Sequence, residues 1–274
     1  MTLGERLRAA FDKHDASEAL REQILPMIQP AIAIDATPVA AADALDEAIE
    51  QLPLGASRFG GIPDLPPGAA WPMREDVPME FVAQLRLVDV APLDPLGRLP
   101  ARGSLLFFYN SQWVCSDADR NGACCAVLFH DGPDDTLVRT PPPRIQFQGE
   151  YDREPRTTPR VHGMESLAFT ATESAPASVS PWAPEGSEAG WQDFAADHAE
   201  EWRDGEYDHH ALGFVQAQDY ANAHVHGTDD QLLLQVDSDL SFEWGDCDRL
   251  YFLLTKEQLA ARAFDQVRIY SQLG

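Results

Sequence analysis

Along this chain, apolar residues recur at helical spacing near the start, and short strand-like runs dominate afterwards. Thr2-x-x-Glu5 is a capping-box pattern, and Leu3, Leu7 and Phe11 behind it predict a first helix. Leu20 and Ile24 predict a second, with Asp15 or Ser17 as its cap and Pro26 as its stop. Residues 30–36 alternate like a strand. Ala40 to Leu52, carrying Leu45, Ile49 and Leu52, predicts a third helix before Pro53 and Gly55. Strands then dominate: Phe81 to Val88, Ser104 to Tyr109, Ala123 to His130 and Arg144 to Gln148 are short and rich in β-formers. Turn chemistry separates them at Asn121-Gly122, Asp131-Gly132-Pro133 and Pro141-Pro142-Pro143. Ser174 to Gly190 reads as a surface loop. Ser187 to Arg203 reads as an acidic amphipathic helix with Trp191, Phe194, Ala195, His198 and Trp202 on one face. Gln231 to Asp237, Arg249 to Leu254 and Val267 to Gln272 close the chain as strands, with Thr255-x-x-Gln258 capping a helix that runs to Arg262.

Short strands in series with flanking helices predict an α+β fold on a mixed or antiparallel sheet, not a doubly wound parallel one. The expected division is a helical extension over residues 1–29 and one α+β domain over residues 30–274. The chain also echoes itself. Phe81-Val82-Ala83-Gln84-Leu85 recurs as Leu232-Leu233-Leu234-Gln235-Val236. Each copy precedes a glycine and an apolar strand: Gly103 before Leu105 to Tyr109, and Gly245 before Leu250 to Leu254. Two diverged halves, each giving a hairpin to one sheet, would produce this pattern, and chance similarity between strands stands beside that reading.

Charge changes the picture more than length does. The 274 residues carry a net charge of −25, and the only lysines are Lys13 and Lys256. Neutralising phosphates needs concentrated Lys and Arg, so nucleic acid and anionic membrane are both excluded as partners. No apolar run reaches the length of a membrane span, and the N-terminus enters a charged amphipathic segment directly, so a cytoplasmic protein is expected. Cys115, Cys124, Cys125 and Cys247 match no common zinc spacing and are expected to be reduced thiols.

Several phrases carry a family resemblance. They are Ser57-Arg58-Phe59-Gly60-Gly61-Ile62-Pro63-Asp64-Leu65-Pro66, Trp71-Pro72, the Phe81 to Leu85 strand and Leu99-Pro100-x-x-Gly103. His209-x-x-Leu212-Gly213-Phe214 follows, and then Leu232 to Asp239 with Trp244-Gly245-Asp246-x-x-Arg249-Leu250-Tyr251-Phe252. In this order, over roughly Pro30 to Gly274, the chain resembles the YwqG-like family, a bacterial domain family of unknown function. The resemblance implies a mixed α+β domain and supplies no catalytic residues. The chain departs from the family pattern after Phe214, where Val215-Gln216-Ala217 replaces a Tyr-Pro turn. Ala40 to Leu52 looks like an added helix.

The candidate binding residues are Arg58, Gly60, Gly61, Trp71, His209, Gly213, Trp244, Asp246 and Arg249. The Phe59 to Trp71 segment is stiffened by prolines and read in two ways: a ligand-facing loop with Trp71 as a platform, or a segment packed across a sheet with Phe59 and Trp71 in the core. Asp237, Asp239, Asp246 and Asp248 form a carboxylate cluster suited to Mg²⁺ or Ca²⁺, unless Arg249 pairs with Asp237 or Asp246 and holds the hairpin. His209, His210 and His224-x-His226 are a second metal candidate, read in preference as solvent-exposed histidines. Gly-x-Ser-x-Gly and Gly-x4-Gly-Lys-Ser/Thr phrases are absent. The preferred reading is a non-enzymatic acidic module, without a cofactor, that binds a basic protein as an immunity protein or adaptor would. The alternative is a metal-assisted hydrolase or small-ligand enzyme using Asp237 to Asp248 or the nearby histidines. A third reading docks another chain on the Trp191 to Trp202 face.

Overall fold

The computed structural model describes residues 1–111, 124–149, 152–176, 189–202, 209–215, 229–238 and 247–273. The chain opens with α1 (Leu3–Lys13), capped by the Thr2 and Glu5 box, and α2 (Glu18–Ile24), capped by Ser17 rather than Asp15. The strand β1 (Gln29–Ala40) precedes α3 (Leu45–Gln51), whose first expected turn is instead a 3-10 turn at Ala42–Ala44. Five strands follow: β2 (Arg58–Phe59), β3 (Asp64–Leu65), β4 (Met73–Arg74), β5 (Val77–Pro78) and β6 (Glu80–Arg86). Beyond β6 the chain turns into the short helix α4 (Leu87–Val90), where the sequence suggested that the strand runs on. Next come β7 (Ser104–Tyr109), β8 (Cys125–His130), β9 (Val138–Arg139) and β10 (Met164–Ser174). The helix α5 (Ala189–Trp202) leads to β11 (His210–Ala211), β12 (Asp230–Asp237) and β13 (Cys247–Thr255). The capping box at Thr255 starts α6 (Lys256–Ala260), and β14 (Arg268–Leu273) ends the chain.

The α+β reading holds, with every strand pairing in the main sheet antiparallel. Ten strands lie in the order β14-β13-β12-β11-β1-β10-β2-β6-β7-β8. The sheet curls until its ends approach and the whole is nearly a barrel. The Cys125 thiol donates to the Val267 carbonyl at 3.5 Å, and the Phe129 and Phe264 rings lie 5.2 Å apart. Strand alternation sends Leu105, Phe107, Tyr109, Leu250, Phe252 and Leu254 into the main core, where Phe107 meets Phe252 edge-on at 5.0 Å. Leu106 and Phe108 point to the opposite face, which the Leu65 to Trp71 segment covers.

The sheet reads alike from both ends. β1 and β10 form its spine, with Asp35 opposite Ala168 near the middle. Outward from β10 come a two-residue strand, a longer strand and its hairpin partners, and outward from β1 comes the same series. In register, Arg58 faces Gln84 on one side and His210 faces Gln235 on the other. Both longer strands carry an irregularity at the same place, between Phe81 and Ala83 and between Leu232 and Leu234.

Three expectations are corrected. Arg144 to Gln148 is no strand, only a bridge between Phe147 and Arg156, since its backbone pairs only locally, Ile145 and Phe147 N–H donating to the Thr157 and Arg156 carbonyls. The Trp191 to Trp202 face is not open for docking along its first turns. Trp191, Phe194 and Ala195 are buried with Leu7, Ala10 and Phe11 in a second core. Finally, Cys125 is a free buried thiol as expected, but Cys124 is disulfide-bonded. Only a bond between the two adjacent cysteines could be discounted from spacing. Cys115 lies outside the described residues.

Candidate functional site

The two short strands each lead into a paired left-handed turn. After Phe59, Gly60 and Gly61 take φ of 59° and 71°, and after Ala211, Leu212 and Gly213 take 61° and 75°. Side chains close both turns in the same way. Arg58 donates to the Ile62 carbonyl, while His210 Nε2 lies 2.8 Å from the Phe214 carbonyl, each four residues on. Just before each strand, a side chain receives a backbone amide from the neighbouring long strand. Ser57 Oγ accepts from Arg86 N–H at 2.8 Å, and His209 Nδ1 accepts from Asp237 N–H at 3.0 Å. That bond fixes the His209 tautomer, with the hydrogen on Nε2 when the ring is neutral.

Around the first turn the polar groups are buried. Asp64 takes Arg58 Nη1 at 3.1 Å, Arg139 Nε at 2.9 Å, Gly55 N–H at 2.9 Å and Gln84 Nε2 at 3.2 Å. Gln84 Oε1 in turn accepts from Asp64 N–H, and Arg58 Nη1 also donates to the Ala56 carbonyl. Arg139 reaches past Asp64 to the Ile49 carbonyl, which also accepts the Leu52 N–H, and to the carbonyl of Leu52, the C-cap of α3. Burial pushes the Arg58 guanidinium down to about 10, against the pull of Asp64. Burial alone would raise the Asp64 carboxyl. The charge on Arg58 and the hydrogen bonds from Arg139 and Gly55 instead hold it below the usual carboxylate range.

A second buried knot joins Glu80 to His162 Nε2 at 2.9 Å and to the Ser111 hydroxyl at 2.6 Å. Desolvation acts to raise Glu80, and the His162 hydrogen bond and charge outweigh it, so its carboxyl too lies low. Around the second turn, Asp237 Oδ2 receives Arg249 Nη2 at 2.6 Å and Nε at 2.8 Å, a fork across the β12–β13 hairpin.

The structure therefore gathers Arg58, Gly60 and Gly61 at one turn and His209, Gly213 and Arg249 at the other, with the His209 ring 5.0 Å from Phe59. Trp71 is not with them. It is half-buried on the outer face, donating Nε1–H to the Met79 carbonyl at 2.9 Å and meeting Phe108 edge-on at 5.4 Å. Of the carboxylate cluster, Asp237 is engaged by Arg249, as the hairpin-holding reading has it. Trp244, Asp239, Asp246, His224, His226 and the Asp248 side chain lie outside the described residues. His209 and His210 are buried rather than solvent-exposed. Sequence reasoning missed Glu80, Arg139 and His162, which sit far apart in the chain within otherwise ordinary strand and loop contexts. It also missed Asp94, whose carboxylate takes the Arg98 and Leu99 amides while Arg98 ties the loop to the Pro30 carbonyl. The Asp94-x-x-x-Arg98 spacing was the available signal.

Comparison with curated proteins finds no match. Comparison with protein families matches residues 57–272 to a family described as "Domain of unknown function (DUF1963)". The match opens at Ser57, the residue that begins the first turn, and it takes in both turns and the Asp64, Glu80 and Asp237 knots. The fold's central strand β1 and the helices α1 to α3 precede it. Over those residues, and so over most of its length, this chain belongs to the DUF1963 family.

Proposed function

We propose that the protein is a non-catalytic binding module whose anionic exterior docks a basic protein partner. The observation that carries this is where the charge sits. Among the described residues the buried carboxylates are Asp64, Glu80, Asp94, Glu165 and Asp237, and four of them are bound to Arg or His. Arg58 and Arg249 are buried in those pairs, and Arg98 and Arg139 are partly buried. These buried groups nearly cancel one another, so almost the whole acidic excess of the chain faces water.

One stretch concentrates the effect. No Lys, Arg or His occurs between Arg21 and Arg58, and Asp43, Asp46, Glu47 and Glu50 on and before α3 are all exposed. Val39 and Leu54 flank them at 48% and 38% exposure, offering apolar contacts beside the acids. Arg139 anchors the C-terminal end of α3 to the buried Asp64, so this face is held rather than loose. The proposal extends to an immunity- or adaptor-like role in the cytoplasm, to residues 1–29 as an extension of a 30–274 domain, and to kinship with the YwqG-like group. The matching turns, registers and hydrogen bonds support descent of the two sheet halves from one duplicated unit.

Affinity capture with the wild-type chain and with the D43N/D46N/E47Q/E50Q variant tests the docking face. The wild type is expected to retain a basic protein at low salt that the variant does not. The same proteins on both, or none on either, would contradict the proposal.

A further inference from the structure

At the junction of α1 and α5 three side chains converge that no strand or turn of the barrel requires. His14 closes α1 as its C-cap, with its N–H on the Ala10 carbonyl. His198 and Glu201 stand three residues apart on α5, a spacing that puts them on one helical face. The His14 and His198 rings are stacked, 3.6 Å between centroids and 16° from parallel. His14 Nε2 lies 2.9 Å from Glu201 Oε1, and one ligand atom from each of the three residues falls within 4.8 Å of the others. We propose that His14, His198 and Glu201 form a binding site for a divalent transition metal of the Zn²⁺ type, which clasps the N-terminal helix to α5.

The ligand set chooses the ion. Two imidazole nitrogens and one carboxylate oxygen suit Zn²⁺ and its neighbours, whereas Mg²⁺ and Ca²⁺ prefer all-oxygen shells. Bonds of about 2.0–2.1 Å at tetrahedral angles place donor atoms about 3.3 Å apart, so one imidazole turns out of the stack to aim its in-plane lone pair at the ion, leaving a fourth position for water. The elements that carry the ligands are already fixed. Phe11 packs on Trp191 at 6.4 Å and on Phe194 at 4.8 Å, and Trp191 is fully buried. Phe194 also abuts both imidazoles, at 6.2 Å from His14 and 4.8 Å from His198. This aromatic floor keeps both imidazoles at the junction of α1 and α5. Lys13 Nζ, 2.9 Å from Glu201 Oε1, occupies the position of a cation beside the carboxylate. Lys13 is largely exposed and can swing into water, so it acts as a competitor that the metal displaces.

The test titrates metal-stripped full-length protein with Zn²⁺ alone, following heat of binding and thermal unfolding, and repeats it with Co²⁺ to read the visible bands of its coordination sphere. One saturable equivalent and a raised Tm are expected. His14→Ala, His198→Asn and Glu201→Gln should each weaken binding at least about tenfold. Lys13→Ala should tighten it, a change in the opposite direction that misfolding cannot mimic. Far-UV circular dichroism checks each variant's fold. The proposal is overturned if the wild type shows no saturable binding at about 100 μM Zn²⁺, where a site of even moderate affinity would fill. It is overturned equally if His14→Ala and His198→Asn bind as the wild type does, since the metal then sits elsewhere, or if Mg²⁺ raises Tm as much as Zn²⁺.

Discussion

Asp64 shows how much of this structure depends on single buried charges. Its carboxylate is shared between Arg58 and Arg139 with no exposure to water. Asp64→Asn leaves two guanidinium groups short of a counter-charge and should cost about 3–5 kcal/mol in urea denaturation, the usual penalty for breaking a buried pair. The sign of its pH dependence follows from the lowered folded value. Asp64 and Glu80 both stabilise the native state fully above their unfolded values, about 3.9 and 4.3, and lose that contribution as pH falls through their lower folded values. Acid titration of stability should therefore be shallower in Asp64→Asn than in the wild type. A curve of unchanged steepness would show that the pair contributes nothing below pH 5. Gly213 is the other sensitive position. It holds φ at 75°, and an added Cβ would lie 2.2 Å from Ser174 Oγ and 2.8 Å from Ala31 Cβ. Gly213→Ala should lower stability by about 1–3 kcal/mol through left-handed strain, with the steric clash added to it. Calorimetry on the variant checks this. The sequence marked Gly213 as a candidate binding residue, whereas Asp64 stood out only as part of the Ser57 to Pro66 phrase. It gave no hint that Asp64 meets Arg139, since that contact joins residues 75 positions apart.

Among the elements, those with strong local signals were readable and those built by pairing were not. Thr2-x-x-Glu5 and Thr255-x-x-Gln258 formed the capping boxes they encode, and Ser104 to Tyr109 became β7 with the expected bounds. β10 was not anticipated. Its Ser, Thr and Glu residues alternate over a half-exposed face, and its stability comes from the eleven-residue pairing with β1. The short strands β2 and β11 are likewise invisible locally, because two residues carry no period. α5 was found, but its partner was not. Its apolar face suggested an outside protein and is covered by α1 of the same chain, as Phe11 fills the space beside Trp191 and Phe194. Phe11→Ala should cost about 3–5 kcal/mol as a large-to-small change in a fully buried site. It should also redden the Trp191 fluorescence as water reaches the ring. A loss below 1 kcal/mol would mean that α1 is only loosely applied to the barrel.

For the whole molecule, charge and architecture answer separate questions. The barrel-like sheet, with its two similar halves, explains why Arg, Asp, Gln and His are found deep inside: they close the paired turns and hold the hairpins. Nearly all of the net charge of −25 is left for the exterior, where it weakens the compact state by self-repulsion and, in the proposed reading, serves to attract a basic partner. The echo around Gln84 and Gln235 was legible in the sequence, with duplication and chance similarity both left open. The register that makes the two halves correspond, Arg58 to Gln84 and His210 to Gln235, is a property of strand pairing and required coordinates. An attraction between an acidic face and a basic protein is screened beyond about 10 Å at 0.1 M salt and still further at higher ionic strength. The direct measurement is the dissociation constant of the captured partner across a salt series. The account predicts that affinity falls steeply, by about tenfold or more between low and high salt, and that neutralising Asp43, Asp46, Glu47 and Glu50 flattens the dependence. A partner held equally well at both extremes, through the same residues, would contradict it.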